Sequence, residues 1–273
     1  MTDRYAVIGN PISHSQSPFI HTEFATATGQ DLQYEKLFAD IGKFDEVVSA
    51  FVAAGGRGLN VTLPFKGDAF RFADEVTECA RLSEAVNTLT FRDGKVYGDN
   101  TDSVGLVRDI VENMDVPMAG KRVLLLGAGG AVRGVLPSLL AEQPSSLTIA
   151  NRTVAKAEAL AAQFVSLGQI EAAGYDALAG RQFDIIINGT STSLQGELPP
   201  LPAGVFAPGA LAYDMVYSRG LTPFLRRAQS EQAGMLADGL GMLVEQAAES
   251  FRIWRGVQPE TRKVTNMLRE VLA

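Results

Sequence analysis

Residues 121–127, KRVLLLG, form a continuous apolar run that ends on glycine. A strand with one face in water alternates apolar with polar residues. A run without alternation must be covered on both faces, as in a parallel sheet flanked by helices. Three further runs share this character: SLTIA at 146–150, DIIIN at 184–188 and ALAYDMV at 210–216. Helical spacing separates them, as where Val154, Ala157, Leu160, Ala161 and Phe164 share a face. Strand and helix in alternation predict a doubly wound, Rossmann-like α/β domain.

The first hundred residues predict a second, smaller α/β layout. YAVIG at 5–9 reads as a buried strand, followed by a helix capped by Ser17 with Pro18 at its first position. A strand over 32–39, a helix over 43–54 and a strand through Leu59, Val61 and Leu63 come next. Asp93-Gly94 between two apolar runs predicts a tight hairpin. A helix over 101–112 places Val104, Val107, Ile110 and Val111 on one face. Two helices close the chain, the second starting at Pro259 and burying Val264, Met267, Leu268 and Val271.

Length and charge then narrow the function. At 273 residues the chain holds one large domain or two modest ones. A net charge of −7 argues against a nucleic-acid binder driven by bulk positive charge. Only His14, His21 and the single Cys79 are available as soft ligands, so no zinc cluster and no internal disulfide is expected, and a reducing compartment follows. The start of the chain lacks a signal-peptide core, and no stretch nears ~18 uninterrupted apolar residues. A cytoplasmic protein without a membrane anchor is the expectation.

The glycine turn Gly127-Ala128-Gly129-Gly130-Ala131 sits between a buried strand and a helical pattern. The first glycine permits the turn, the second admits a pyrophosphate, and the helix N-terminus offers free N–H groups to it. The sixth position of the fingerprint asks for Gly or Ala, and Val132 stands there. After the next strand, an NAD site places a carboxylate against the ribose 2′-hydroxyl. Asn151-Arg152-Thr153 stands there instead, with Lys156 one turn on. Arg152 can pair with a 2′-phosphate and stack on adenine, Lys156 adds charge, and Thr153 both caps the helix and donates. NADP is therefore the expected cofactor; a capped helix with a solvated Arg and Lys is the plainer alternative.

Two polar clusters mark a reaction centre. Asn60, Thr62 and Lys66 lie in NVTLPFK at 60–66, with Lys66 projecting from a loop. Asp102 opens a helix in GDNTD at 98–102. Taken singly, these read as a surface lysine and an acidic first turn capped by Thr101.

With these clusters in hand, the chain resembles the shikimate dehydrogenase family over nearly its whole length. The matching stretches are GNPISHSQSP (9–18), NVTLPFK, AVNT (85–88), GDNTD, GAGGA (127–131), NRT (151–153), NGTS (188–191), YDMVY (213–217) and DGLGMLVEQAA (238–248). The resemblance implies a substrate-binding catalytic domain over 1–102, to which 240–273 returns, and an NADP-binding Rossmann domain over 103–239. It implies that Ser15 and Ser17 bind the substrate carboxylate, and that Thr62 and Lys66 meet ring hydroxyls. It further implies that Lys66 acts as acid and base with Asp102, that Asn87, Tyr217 and Gln246 fall on further substrate positions, that Met215 and Gly239 match positions lining the nicotinamide, and that Glu78 falls on a cofactor position. Lys156 stands where arginine is common.

The implied reaction is the reversible NADPH-dependent reduction of 3-dehydroshikimate to shikimate in aromatic amino acid biosynthesis. A quinate- or NAD-preferring member and a non-catalytic dinucleotide-binding regulator are the alternatives. An NAD preference is opposed by Asn151, Arg152, Thr153 and Lys156, and the regulator by the presence of both Lys66 and Asp102; shikimate against quinate stays open. A homodimer is compatible with any of these.

Overall fold

The computed structural model describes residues 2–190, 192 and 197–272, so Ser191 of the NGTS stretch lies outside the described residues. Contacts divide the chain into two units, Met1–Gly105 with Leu243–Met267, and Leu106–Met242 with Leu268–Ala273.

The first unit holds a six-stranded mixed sheet. Its strands are β1 (Asp3–Gly9), β2 (Leu32–Phe38), β3 (Gly56–Val61), β4 (Glu75–Val76), β5 (Thr88–Arg92) and β6 (Lys95–Asp99), in the order β2-β1-β3-β5-β6-β4. β1 runs parallel to β2 and β3, whereas β5 is antiparallel to both β3 and β6. The β5–β6 turn is made by Asp93 and Gly94, both at positive φ, as the sequence predicts. Because β5 is antiparallel, its start meets the end of β3: Asn60 pairs with Thr88, and the Val61 N–H donates to the Asn87 carbonyl at 2.8 Å. That register brings polar residues from distant segments to one end of the sheet.

The helices of this unit are α1 (Ser17–Thr28), α2 (Phe44–Ala53), α3 (Lys66–Phe72), α4 (Glu78–Ser83), the start of the chain crossing α5 (Asp102–Arg108), and most of α9 (Leu240–Arg255). α9 is tied to the sheet by its far end. Trp254 stacks on Tyr5 at 4.7 Å and donates to the Leu89 carbonyl, while Arg255 pairs with Asp3 and donates to Gln30. One side of the sheet is filled by Ile8, Phe44, Val48, Phe51, Leu59, Phe65 and Leu89.

The second unit is the doubly wound domain that the apolar runs predict. β7 (Arg122–Leu126), β8 (Ser146–Ala150), β9 (Ile170–Ala173), β10 (Phe183–Asn188), β11 (Phe206–Asp214) and β12 (Met235–Asp238) form an all-parallel sheet ordered β12-β11-β10-β7-β8-β9. Helices α6 (Gly130–Ala141), α7 (Val154–Phe164) and α8 (Pro223–Ser230) are the crossovers. Chain direction across the sheet reverses between β7 and β10, and ligands of such sheets bind at the strand ends beside that switch.

Several local expectations are corrected. Helix α1 begins at Ser17 itself, with Gln16 at the cap and no side-chain capping bond; the Ser17 hydroxyl is engaged by Ser15 instead. Lys66 is the first residue of α3 rather than a loop residue, because the Phe65 ring is buried against Phe44 and starts the helix. The helix predicted over 101–112 is α5 followed by a π turn at Asp109–Asn113, where the Met114 N–H reaches back to the Asp109 carbonyl. The last helix, α10 (Arg262–Leu272), starts three residues after Pro259, since the Glu260 carboxylate accepts from the N–H groups of Arg262 and Lys263. Val154 and Val271 are exposed, as each sits at the edge of its helix's apolar stripe. Residues 268–272, read from the sequence as part of the returning segment, group with the second unit, where Arg269 donates to Asp238 at 3.1 Å.

Candidate active site

Lys66 and Asp102 meet in the first unit. Lys66 Nζ lies 2.5 Å from Asp102 Oδ2, with both side chains partly shielded from water. α3 and α5 each present the residue from their first position, so neither side chain depends on a flexible loop. The Lys66 carbonyl accepts the Val86 N–H at 3.0 Å, which binds this helix start to the segment before β5. Asp102 Oδ1 accepts the Asn87 amide at 2.8 Å. Asn87 Nδ2 also lies 3.3 Å from Gln246 Oε1 on α9. Four side chains from four separate stretches of sequence thus converge: an ammonium, a carboxylate and two amides.

The other first-unit candidates line the same end of the sheet. The Ser15 and Ser17 hydroxyls stand 3.2 Å apart after β1, a spacing that lets two donors address one carboxylate. Thr62 follows β3 and is half-buried, its methyl so close to Gly9 that a Cβ there would lie 2.5 Å away. No hydrogen bond among the described residues joins Ser15, Ser17 or Thr62 to Lys66. Glu78 opens α4, is exposed and pairs with Arg81 at 3.4 Å; alone among the cofactor candidates it belongs to the first unit.

The remaining candidates lie in the second unit. Gly127 follows β7 at φ +107, and a side chain there would press on Val132, Thr190 and the Gly189 carbonyl. Val132, the departure from the fingerprint, is fully buried and accommodated by Gly189, where a Cβ would lie 2.6 Å from the valine methyl. The glycine has in effect moved from the helix to the facing loop. Gly129 caps α6 without any side-chain bond, and a Cβ at Gly129 or Gly130 would meet nothing within 4 Å. The start of α6 is therefore open, with Gly129, Gly130 and Ala131 exposed and Ala128 half-buried next to them. This cradle fits a pyrophosphate.

After β8, the Asn151 amide donates to the Thr153 carbonyl at 2.9 Å, holding the NRT turn. Arg152 and Lys156 are exposed, and the Arg152 charge acts on Tyr175. Thr153 occupies the cap of α7, yet its hydroxyl makes no capping bond, which corrects the capping expectation and leaves the group free to donate elsewhere. After β11, Asp214 holds the chain turn through the Val216 N–H and the Thr222 hydroxyl. Met215 there sits against Gly189 and Gly239. A Cβ on Gly239 would lie 2.2 Å from the Met215 carbonyl oxygen, so only glycine fits. Tyr217 is half-buried, and burial raises its pKa. The glycine turn and the cationic turn after β8 fit a dinucleotide that carries an extra phosphate.

Sequence reasoning passed over several polar residues. Thr101 was expected to cap α5, but its hydroxyl donates to the Gln246 carbonyl at 3.0 Å, and the Asn100 side chain accepts the Asp102 N–H instead. His21 was only excluded as a metal ligand. It is completely buried, stacked on Tyr34 at 4.3 Å and bonded to Asn60 Oδ1 at 3.1 Å. A histidine one helical turn after Pro18 on the buried side of α1 was the available signal.

Burial lowers the His21 pKa to about 3, against the weaker opposing bond to Asn60. Below pH ~6.5 the unfolded chain binds a proton that the folded chain refuses, so stability falls as pH falls through this window. The expected slope from this residue is about 1.4 kcal/mol per pH unit. Urea unfolding at pH 7 and pH 5 should show the native protein losing about 2 kcal/mol more than the His21→Gln variant. Equal losses would place the acid sensitivity elsewhere.

Comparison with known proteins agrees with this geometry. The chain matches the family models for the shikimate dehydrogenase substrate binding domain over residues 7–89, for shikimate / quinate 5-dehydrogenase over 107–195 and for the shikimate 5'-dehydrogenase C-terminal domain over 239–269. It is 78% identical to a Chromobacterium violaceum protein named shikimate dehydrogenase (NADP(+)), with 100% of both chains covered. An Ael1 enzyme from Pseudomonas putida is 52% identical at a TM-score of 0.94, covering 98% of both chains. Shikimate 5-dehydrogenase from Thermus thermophilus, in complex with NADP(H) and shikimate, is 30% identical at a TM-score of 0.88, covering 99% of this chain and 100% of that one. Three family models in chain order and full-length identity of this level carry one conclusion: the chain belongs to the shikimate dehydrogenase family.

Proposed function

We propose that this chain is an NADP-dependent shikimate dehydrogenase that interconverts 3-dehydroshikimate and shikimate. The observation that carries the reading is the Lys66–Asp102 pair, held at 2.5 Å beside the amides of Asn87 and Gln246. Bound NADPH supplies the hydride, which no side chain can carry. Gly127 to Ala131 would hold its pyrophosphate, Asn151, Arg152, Thr153 and Lys156 its 2′-phosphate, and Met215 and Gly239 its nicotinamide, with Glu78 as a further cofactor contact.

Lys66 moves the proton at its Nζ, giving it to the carbonyl oxygen in reduction and taking it from the hydroxyl in oxidation. Asp102 holds the ammonium in place and balances its charge. Ser15 and Ser17 bind the substrate carboxylate with neutral donors, which suits an acidic protein. Thr62, Asn87, Tyr217 and Gln246 orient the ring hydroxyls. The partners in this reading are small molecules; neither nucleic acid nor membrane enters it. The lone Cys79, its thiol raised by burial and bonded to Ser103, is in keeping with a cytoplasmic enzyme.

The test is an assay of the purified chain with shikimate or quinate and NADP⁺ or NAD⁺, following the absorbance of the reduced cofactor. The highest kcat/KM is expected for shikimate with NADP⁺. A preference for NAD⁺ or for quinate would favour the alternative family member, and no turnover with any pair would favour the non-catalytic regulator.

A further inference from the structure

Behind the amides of Asn87 and Gln246 lies a buried set of polar groups to which the proposed reaction gives no part. Asn60 in β3, Thr88 in β5, Thr101 before α5 and Ser250 on α9 are all buried. The Asn60 amide is oriented by an obligate acceptor, since Nδ2 donates to the Asn87 carbonyl at 3.2 Å. Its second proton is shared between Thr88 Oγ1 at 3.2 Å and Ser250 Oγ at 3.0 Å. Oδ1 is thereby turned toward Tyr34, whose hydroxyl donates at 2.7 Å, and toward His21 Nε2–H at 3.1 Å. Burial keeps His21 neutral, so this end of the chain does not change charge near neutral pH.

A hydroxyl that accepts from an amide must send its own proton onward. Thr88 Oγ1 lies 2.8 Å from both Asn87 Oδ1, which can only accept, and Ser250 Oγ, and Ser250 donates to the Gln246 carbonyl at 3.0 Å. Asn87 Oδ1 also accepts the Thr101 N–H at 2.9 Å. With its oxygen so engaged, Asn87 can turn only its NH₂ toward Asp102, at 2.8 Å. A continuous set of hydrogen bonds thus links His21 and Tyr34 through Asn60 and Thr88 to Asn87, Asp102 and Lys66.

We infer that Thr88 is a positioning residue: its hydroxyl, held between Asn60 and Asn87 Oδ1, acts with the Thr101 N–H to set the face that the Asn87 amide presents to the substrate. The inference rests on the shikimate dehydrogenase reading, in which Asn87 touches the ring hydroxyls. Thr88→Val tests it, because valine keeps the β-branched shape suited to β5 and removes only the hydroxyl. Loss of one oriented hydrogen bond should raise KM for shikimate about five- to tenfold. The value of kcat should stay within about threefold and KM for NADP⁺ within about twofold, because the cofactor residues other than Glu78 lie in the other unit. Thr88→Ser, which restores the hydroxyl, should return KM for shikimate to within about twofold of the native value. Ser250→Ala provides a second route should the valine variant not fold. It removes an acceptor from Asn60 and the bond to the Gln246 carbonyl, and should raise KM for shikimate in the same direction.

An unchanged KM in Thr88→Val, a rise that serine does not rescue, or equal rises for shikimate and NADP⁺ would overturn the inference while leaving the function standing. Native protein that fails to turn over shikimate in the same assay would overturn the function, and the inference with it.

Discussion

Lys66→Ala is expected to lower kcat by about 10²–10⁴-fold while the Kd for NADPH changes by less than about twofold. Reduction of a ketone leaves an oxygen that needs a proton, and in the proposed reaction Lys66, held 2.5 Å from Asp102, supplies it. Alanine is the best helix former, so the start of α3 should survive the change. Asp102 would keep the Asn87 amide at 2.8 Å, so the carboxylate is not left without a hydrogen bond. Circular dichroism and fluorescence titration with NADPH separate this outcome from loss of fold. A variant with more than half of the native kcat would end the assignment of Lys66 as acid and base.

Arg152→Ala is expected to weaken NADPH by about 10- to 150-fold, the worth of one charge-assisted contact, and NADH by less than about threefold. Arg152 is exposed at the turn after β8, and among the described residues no carboxylate pairs with it. Its charge is therefore not spent on the fold, and removal should leave the sheet unaffected. Lys156, on the first turn of α7, retains part of the attraction as a point charge without the bidentate fork of an arginine. Titration of both reduced cofactors into the native and variant proteins decides the matter. Equal losses for NADPH and NADH would make Arg152 a structural residue and remove the main support for the 2′-phosphate site.

These two residues were found by different kinds of signal. Arg152 is legible because its position is local: a strand, a turn and a helix start place it, and each follows from apolar period and turn chemistry within twenty residues. Lys66 was visible as a residue type but misplaced in a loop, because nothing nearby in sequence shows that the Phe65 ring buries against Phe44. The Val132 departure looked like a defect in the glycine fingerprint. Its compensation by Gly189 lies on another strand end, 57 positions away in the numbering, and only folding brings the two together.

Four of the six parallel strands of the second unit (β7, β8, β10 and β11), the Asp93-Gly94 hairpin and the glycine turn follow from the chain alone, since burial on both faces and positive φ are demanded residue by residue, whereas the edge strands β9 and β12 carry no such run and are not read from it. The arrangement around Lys66 does not follow from the chain alone. Asn60 meets Ser250 across 190 residues, Asn87 meets Gln246 across 159, and Thr101 turns from helix cap to partner of Gln246 because α9 returns to cover it. A hydroxyl or an amide has no preferred partner in sequence; its direction is chosen by whichever donor or acceptor burial places beside it.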